Sequence, residues 1–252
     1  MTKPSVKQYC EPAAEMDFEA FAAVVESRRS IRKYLPEPIP DAVVHRCLDL
    51  ALLAPTSSNM QSWQFIRVVD PQRKKALAHA CLGQPAATTA PELIVAVART
   101  DTWKQNSRQI LQQFEQSPYE WPGLMKKYYQ VGTRLAYGLG PARLNGAGKW
   151  AFHALTSPVR PSPSSPYSAA ELKLWAVKTT ALACENLMLA FRAAGYDTCP
   201  MEGYDERRVR KIVGLKGAHA HLVMVISAGK RAPNGVYGPR LRLPREQFIS
   251  EI

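Results

Sequence analysis

Residues 28–32 read Arg28-Arg29-Ser30-Ile31-Arg32, three guanidinium groups and a hydroxyl in one short run. Planar guanidinium forks on neighbouring parts of one turn suit an oxyanion, and a phosphate is the obvious guest. The plainer alternative is a solvated basic helix end that complements the helix dipole. A second stretch, Pro55-Thr56-Ser57-Ser58-Asn59-Met60-Gln61-Ser62-Trp63, is dense in hydroxyls and amides with little bulk. A planar heteroaromatic ligand could approach such a backbone closely, although ordinary helix-to-strand loops share this composition. In a third, Pro200-Met201-Glu202-Gly203, the glycine frees the backbone for a tight turn. The amides that follow precede a short helix and suit electron-rich ligand atoms. A fourth, Gly238 to Pro244, alternates so that Arg240 and Arg242 share one side of an extended chain.

These stretches need elements to hold them. Asp17 caps a predicted helix to Ser27 with Phe18, Phe21, Ala22 and Val25 at helical spacing. Pro36, Pro38 and Pro40 impose an extended link, and a second helix is predicted over Asp41 to Ala54, ended by Pro55. Gln64 to Val69 reads as a strand, Asp70-Pro71 to about Cys81 as a helix, and Gly83-Gln84-Pro85 as a break. Glu92 to Ala98 reads as a fully buried strand. Ala169 to Ala194 is the clearest helix, apolar nearly all round and stopped by Gly195. A short helix over Asp205 to Val213 and a buried strand over His221 to Ala228 complete the pattern. From Arg99 to Ser168 the periodicity weakens, with one helical piece between Gln105 and Leu135, many aromatics, and four prolines between Pro158 and Pro166. Long irregular segments of this kind serve as lids or binding loops, or simply cover a core.

Composition bounds the answer. With 252 residues, 46% of them hydrophobic, the chain can bury a sizeable core. Net charge is +12, from 33 basic and 21 acidic side chains, which admits nucleic acid, an anionic membrane or an anionic small molecule as partner. The basic residues are dispersed and no nucleic-acid-reading motif occurs, so no nucleic-acid partner is expected. Cys10, Cys47, Cys81, Cys184 and Cys199 form no Cys-x-x-Cys pair and suit reduced thiols. Neither a leader sequence nor a long apolar run occurs, so the expectation is a soluble, cytoplasmic protein with no membrane partner. The histidines are scattered and no metal site is expected. Gly138-Leu139-Gly140 lacks the third glycine and the context of a dinucleotide fingerprint.

In order and spacing, the four stretches resemble the nitroreductase family of flavoproteins. Its R-[RH]-S-x-[RK] segment matches Arg28 to Arg32, its P-S-S-x-N-x-Q-P-W loop matches Pro55 to Trp63, its P-[IM]-[EG]-G turn matches Pro200 to Gly203, and its [KR]-x-R-x-P pair matches Arg240 to Pro244. Thr56 and Ser62 depart from the loop pattern. The resemblance covers Phe18 to about Ala98 and Ala169 to Pro244, and leaves Arg99 to Ser168 unmatched.

The resemblance implies an α+β fold, a mixed sheet flanked by helices, in one domain spanning 1–252 with a variable insertion or lid at about 99–168. It implies a homodimer with exchanged C-terminal arms, one FMN per subunit, and NAD(P)H as electron donor. Arg28, Arg32, Arg240 and Arg242 would clamp the phosphate, with Ser30 on phosphate or ribityl and Arg29 alongside. Pro55, Thr56, Ser57 and Asn59 would reach the flavin from the other subunit. Met201, Glu202 and Gly203 would line the edge near its reactive nitrogen, and Gln84 its pyrimidine ring. The implied activity is ping-pong reduction of an electron-poor small-molecule acceptor, a nitroaromatic, a quinone or a related compound. No catalytic acid, base or nucleophile is nominated, because the cofactor carries that chemistry. Two alternatives stay open: a basic nucleic-acid- or flavin-binding protein without reductase activity, and a flavin-fragmenting or dehalogenating relative.

Overall fold

Leu93, Val95 and Val97 alternate with Ile94, Ala96 and Ala98, and all six are fully buried. A strand apolar on both faces needs cover on both, and the remaining elements supply it. The structure, a computed structural model, describes residues 3–140, 144–161 and 166–252. In chain order the main elements are α1 (Phe18–Ser27), α2 (Asp41–Ala51), β1 (Trp63–Arg67), α3 (Pro71–Ala80), α4 (Pro85–Thr88), β2 (Glu92–Arg99) and α5 (Trp103–Gln116). They continue with α6 (Gly123–Lys127), α7 (Thr133–Tyr137), α8 (Leu144–Thr156), α9 (Ala169–Ala193), β3 (Asp197–Met201), α10 (Glu206–Ile212) and β4 (Ala220–Gly229).

The strand order is β1-β2-β4-β3. On one face Leu93, Val95 and Val97 pack with Leu77 of α3 and Val209 of α10. On the other, Ile94, Ala96 and Ala98 pack with Val44 and Cys47 of α2 and with Leu187 and Phe191 of α9. Each such side chain contributes roughly 1.5–3 kcal/mol on burial, so β2 anchors both halves of the core.

The α+β class stands, but the expected mixed sheet does not. All pairings between the described strands are antiparallel, and parallel pairing at this sheet is confined to the single bridge between Ser30 and Thr198 at the β3 edge. Both ends of α9 follow from sequence. The Ser168 hydroxyl accepts from the Glu171 amide at 3.2 Å, the Glu171 carboxylate accepts from the Tyr167 amide at 2.7 Å, and Gly195 turns left-handed at φ +84°.

Other boundaries shift. α2 stops at Ala51, before the residue preceding Pro55, whose helical conformation the proline ring disfavours. The single helical piece expected over Gln105 to Leu135 is interrupted. α5 stops at Gln116, next to Ser117-Pro118, and a new helix begins after Pro122. α6, a π-helical turn over Tyr128–Gly132 and α7 then run on continuously. α8 had no sequence reading, and residues 162–165 of the proline-rich stretch lie outside the described residues. Among the described residues no helix is long and apolar enough to cross a membrane.

Candidate functional site

The basic segment is held against the open edge of β3. Helix α1 ends at Ser27, and the buried Ile31 side chain anchors the following extended chain, so Ser30 and Arg32 fall on its opposite side. The Ile31 amide donates to the Thr198 carbonyl at 3.0 Å and the Arg32 amide to the Gly235 carbonyl at 2.7 Å. The C-terminal tail brackets this segment from outside. The Arg240 guanidinium donates to the Glu26 and Arg28 carbonyls, both at 2.6 Å, and Arg29 donates to the Gly238 carbonyl at 2.7 Å. Arg32 Nη1 donates to Cys199 Sγ at 3.4 Å, while Arg242 donates to the Leu241 carbonyl at 2.9 Å.

The turn after β3 joins the same edge. Gln84 Nε2 donates to the Gly203 carbonyl at 2.9 Å and to the Cys81 carbonyl at 3.0 Å. Glu202 and Gly203 are exposed. The Met201 side chain is buried in the core, so only its backbone is available to a ligand.

This corner is strongly cationic. Among the described residues, Glu185 is the one carboxylate at ion-pair distance from Arg28, Arg29, Arg32, Arg240 or Arg242, at 3.9 Å from Arg28. The field reaches Cys199: burial pushes its thiol up, while Arg32 and Arg28 pull it part-way back. The Thr198 hydroxyl next to Ser30 is buried and has no hydrogen-bond partner. Beneath the segment, the buried Asp197 accepts from Arg192 at 2.9 Å and from Arg231 at 2.7 and 3.1 Å. Arg231 also donates to the Ser27 carbonyl at 3.3 Å, fixing the point where α1 gives way to the arginines.

The Pro55 loop lies elsewhere. Ser58, Asn59 and Gln61 are left-handed, at φ 54°, 52° and 44°. Non-glycine residues avoid this region by about 1–2 kcal/mol each, so something must hold them. Tyrosines from the π-helical turn and α7 do so. Ser58 Oγ shares hydrogen bonds with the Tyr128 hydroxyl at 2.5 Å and the Tyr137 hydroxyl at 2.8 Å, and the Tyr129 hydroxyl donates to the Ser58 carbonyl at 3.2 Å. Tyr137 also reaches Ser57 Oγ at 3.3 Å, and Asn106 donates to the Met60 carbonyl at 2.6 Å. Met60 itself is buried with Trp103, Ile110, Phe114, Tyr137 and Leu172. Pro55, Ser57 and Asn59 remain exposed and Thr56 half-buried.

The structure thus gathers Arg28, Arg29, Ser30, Arg32, Gln84, Met201, Glu202, Gly203 and Arg240 along one edge, with Arg242 following on the tail. It leaves Pro55, Thr56, Ser57 and Asn59 apart. Thr198 stands level with Ala228 and Glu92, whereas Trp63 pairs with Ala98 on the far edge strand. Rises of ~3.4 Å per residue and strand spacings of ~4.8 Å put these two corners on the order of 25 Å apart. Sequence reasoning missed Asp197, Arg231 and the contacts by which Tyr128, Tyr129 and Tyr137 hold the loop. A lone aspartate at a strand start carries no local signal, and the tyrosines lay in the segment without periodicity.

Comparison with known proteins bears on this arrangement. The Nitroreductase family model matches residues 25–230. The chain belongs to the nitroreductase family. As a member, it is an oxidoreductase. An NADH dehydrogenase of Thermus thermophilus is 28% identical over 222 residues, covering 88% of this chain and 91% of the relative. A 4-nitrobenzoate reductase of Pseudomonas putida is 29% identical over 232 residues, covering 90% of this chain and 91% of the relative. Among solved structures, a Bacillus subtilis nitroreductase-type protein superposes with a TM-score of 0.72 at 21% identity, covering 94% of this chain and all of that one. A complex with FMN from Exiguobacterium sibiricum gives 0.64 at 24% identity with both chains fully covered. At these identities the two superpositions establish the fold of this nitroreductase-family chain.

Proposed function

We propose that the protein is an FMN-dependent oxidoreductase that uses NAD(P)H to reduce electron-poor small molecules, such as nitroaromatics or quinones, in two alternating half-reactions. The observation that carries this is the convergence of Arg28, Arg29, Arg32 and Arg240 on the β3 edge with one distant carboxylate among them. That donor set fits a phosphate dianion, and the partnerless Thr198 hydroxyl beside Ser30 fits a ligand rich in hydroxyls. Names of the relatives support the donor and acceptor classes: one is an NADH dehydrogenase, another a 4-nitrobenzoate reductase.

In this reading Arg28, Arg32, Arg240 and Arg242 hold the phosphate, with Arg29 alongside and Ser30 on the adjoining chain. Gln84, already fixed to Gly203, meets the pyrimidine edge, and the backbone of Met201 to Gly203 with Glu202 lines the edge near the reactive nitrogen. When bound, FMN supplies hydride transfer from the donor and on to the acceptor. The chain's own share is to hold the ring in one orientation, offer amides where negative charge grows, and keep water out.

Pro55, Thr56, Ser57 and Asn59 serve the same site from a second copy, which accounts for their distance from the arginines. An exposed apolar stripe supports pairing: Phe18, Phe21 and Val25 of α1 are 72%, 54% and 42% exposed, and α1 buries no residue. Segment 99–168 then lies over the flavin face as a substrate-selecting lid, tied to the loop by its tyrosines. Purified protein should be yellow, release FMN on denaturation, and oxidise NAD(P)H in the presence of an acceptor. A colourless protein that takes up no FMN on titration overturns this reading.

A further inference from the structure

A cavity of about 790 Å³ opens between α5, α7, the start of α9 and the entry to β4. Its aromatic walls are Trp103 and Tyr137, and its rim carries Lys104 and Arg108 from α5 and Arg134 from α7. Lys104 and Arg108 stand one helical turn apart, an arrangement that destabilises a bare helix by like-charge repulsion. Among the described residues no carboxylate stands at ion-pair distance from any of the three. The one carboxylate lining the cavity, Asp101, is already held by both arms of Arg99, at 2.9 and 2.7 Å. His221 lines the same cavity. Its basicity is lowered first by burial, then by Lys173, Arg210 and His219, with Glu206 opposing. A smaller cavity of about 260 Å³ shares Trp103, Lys104, Arg108 and Arg134, so the cations stand between two hollows. Tyr137 links this groove to the Pro55 loop through its hydroxyl.

We infer that this groove is an anion-binding subsite of the oxidoreductase site, in which Lys104, Arg108 and Arg134 seat the charged group of a substrate that docks at the Pro55 loop. It rests on the functional reading above and extends it to the substrate's charge. Two sources carry that chemistry, the carboxylate of an aromatic acceptor and the 2′-phosphate that distinguishes the donor NADPH from NADH. The aromatic walls suit either.

The test compares wild type with the double variant Arg108→Gln/Arg134→Gln, both loaded with FMN. Acceptors are 4-nitrobenzoate and its uncharged analogue 4-nitrobenzamide; donors are NADPH and NADH. If the acceptor's carboxylate is seated, the nitrobenzoate-to-nitrobenzamide ratio of kcat/KM falls on the order of tenfold to a hundredfold in the variant, the range for charge-assisted hydrogen bonds. If a donor phosphate is seated, the NADPH-to-NADH ratio falls instead. A variant that moves neither ratio overturns the inference. Calorimetric titration with benzoate and with inorganic phosphate gives a readout independent of turnover. Wild type should bind one of them with an affinity that falls as salt rises, the Gln variant should lose it, and Arg108→Lys/Arg134→Lys should restore part. Absence of binding by wild type sinks the subsite. If the flavin-loaded protein reduces none of the acceptors, the functional reading fails, and the titration still decides whether the groove binds anions.

Discussion

Arg240 and Arg242 sit two residues apart, yet only one of them is committed within the chain. Arg240 already caps the last carbonyls of α1, whereas Arg242 bonds only its neighbour's carbonyl and is exposed. Replacing Arg240 therefore disturbs α1 as well as any ligand, and Arg242→Ala is the cleaner probe. It should weaken FMN roughly tenfold to a hundredfold, the loss expected for a charge-assisted hydrogen bond, and leave riboflavin, which lacks the phosphate, much less affected. Equal weakening of both flavins would remove Arg242 from the phosphate clamp. A second residue-scale expectation concerns acid. Because burial lowers the basicity of His221, the folded state takes up its proton later than the unfolded chain. Its contribution to stability is full above the ordinary imidazole value of about 6.5 and declines as pH falls from there through the lowered folded value. Urea midpoints of wild type and His221→Gln across that interval should converge toward acid, the wild type losing more. Parallel curves would show that His221 is not perturbed.

At the scale of elements, strain marks the site from two sides. Helix α3 ends in two left-handed residues, Leu82 at φ 61° and Gly83 at φ 63°. The leucine is exposed, and its side chain lies beside Gly203. Leu82→Gly should relieve about 1–2 kcal/mol of backbone strain against roughly 0.5–1 kcal/mol of added chain entropy. A modest rise in the urea midpoint is expected, and a fall would contradict the strain. If flavin affinity drops while stability rises, the strain serves the site. Across the sheet, Tyr137→Phe removes the hydroxyl contacts to Ser57 and Ser58. It should cost roughly 0.5–1.5 kcal/mol per neutral hydrogen bond lost, measured by denaturant unfolding. These elements also show how far sequence reaches. The β2 run, α9 with its caps and the Arg28 to Arg32 segment were legible because burial, capping and charge each leave a local mark. The partners of Gln84, the Asp197 network and the tyrosine contacts to Ser58 were not, because they join residues distant in the chain. The break in the expected Gln105 to Leu135 helix was written in Pro118 and Pro122 and went unread beneath a weak apolar period.

At the scale of the whole molecule, the proposal that two distant corners serve one ligand requires a second copy of the chain. Sedimentation at low micromolar concentration should give a species near twice 28.0 kDa, and a stable flavin-loaded monomer would end the two-copy reading. The described stretch from α5 to α7 is no loose flap in either case. Trp121 stacks on Phe114 with ring centroids 4.1 Å apart, and Phe114, Trp103 and Tyr137 are buried. Excision should therefore unfold the protein, and the informative change is Tyr128→Ala, which removes a half-exposed ring beside the loop. It should retain flavin while altering the kcat/KM ratio between a small and a large acceptor; an unchanged ratio would deny the segment a part in selection.

The diagonal separation of the arginine corner and the Ser57 corner has a genetic consequence. If each site draws its arginines from one copy and its Ser57 loop from the other, a chain crippled at Arg32 and a chain crippled at Ser57 each make a dimer with no sound site. Co-expressed, they pair at random, so half the dimers are mixed. In each mixed dimer one site collects both lesions and the other collects neither. Two inactive alleles should then complement each other, recovering activity at about a quarter of all sites, a yield that no arrangement with both corners serving a site within one chain could produce.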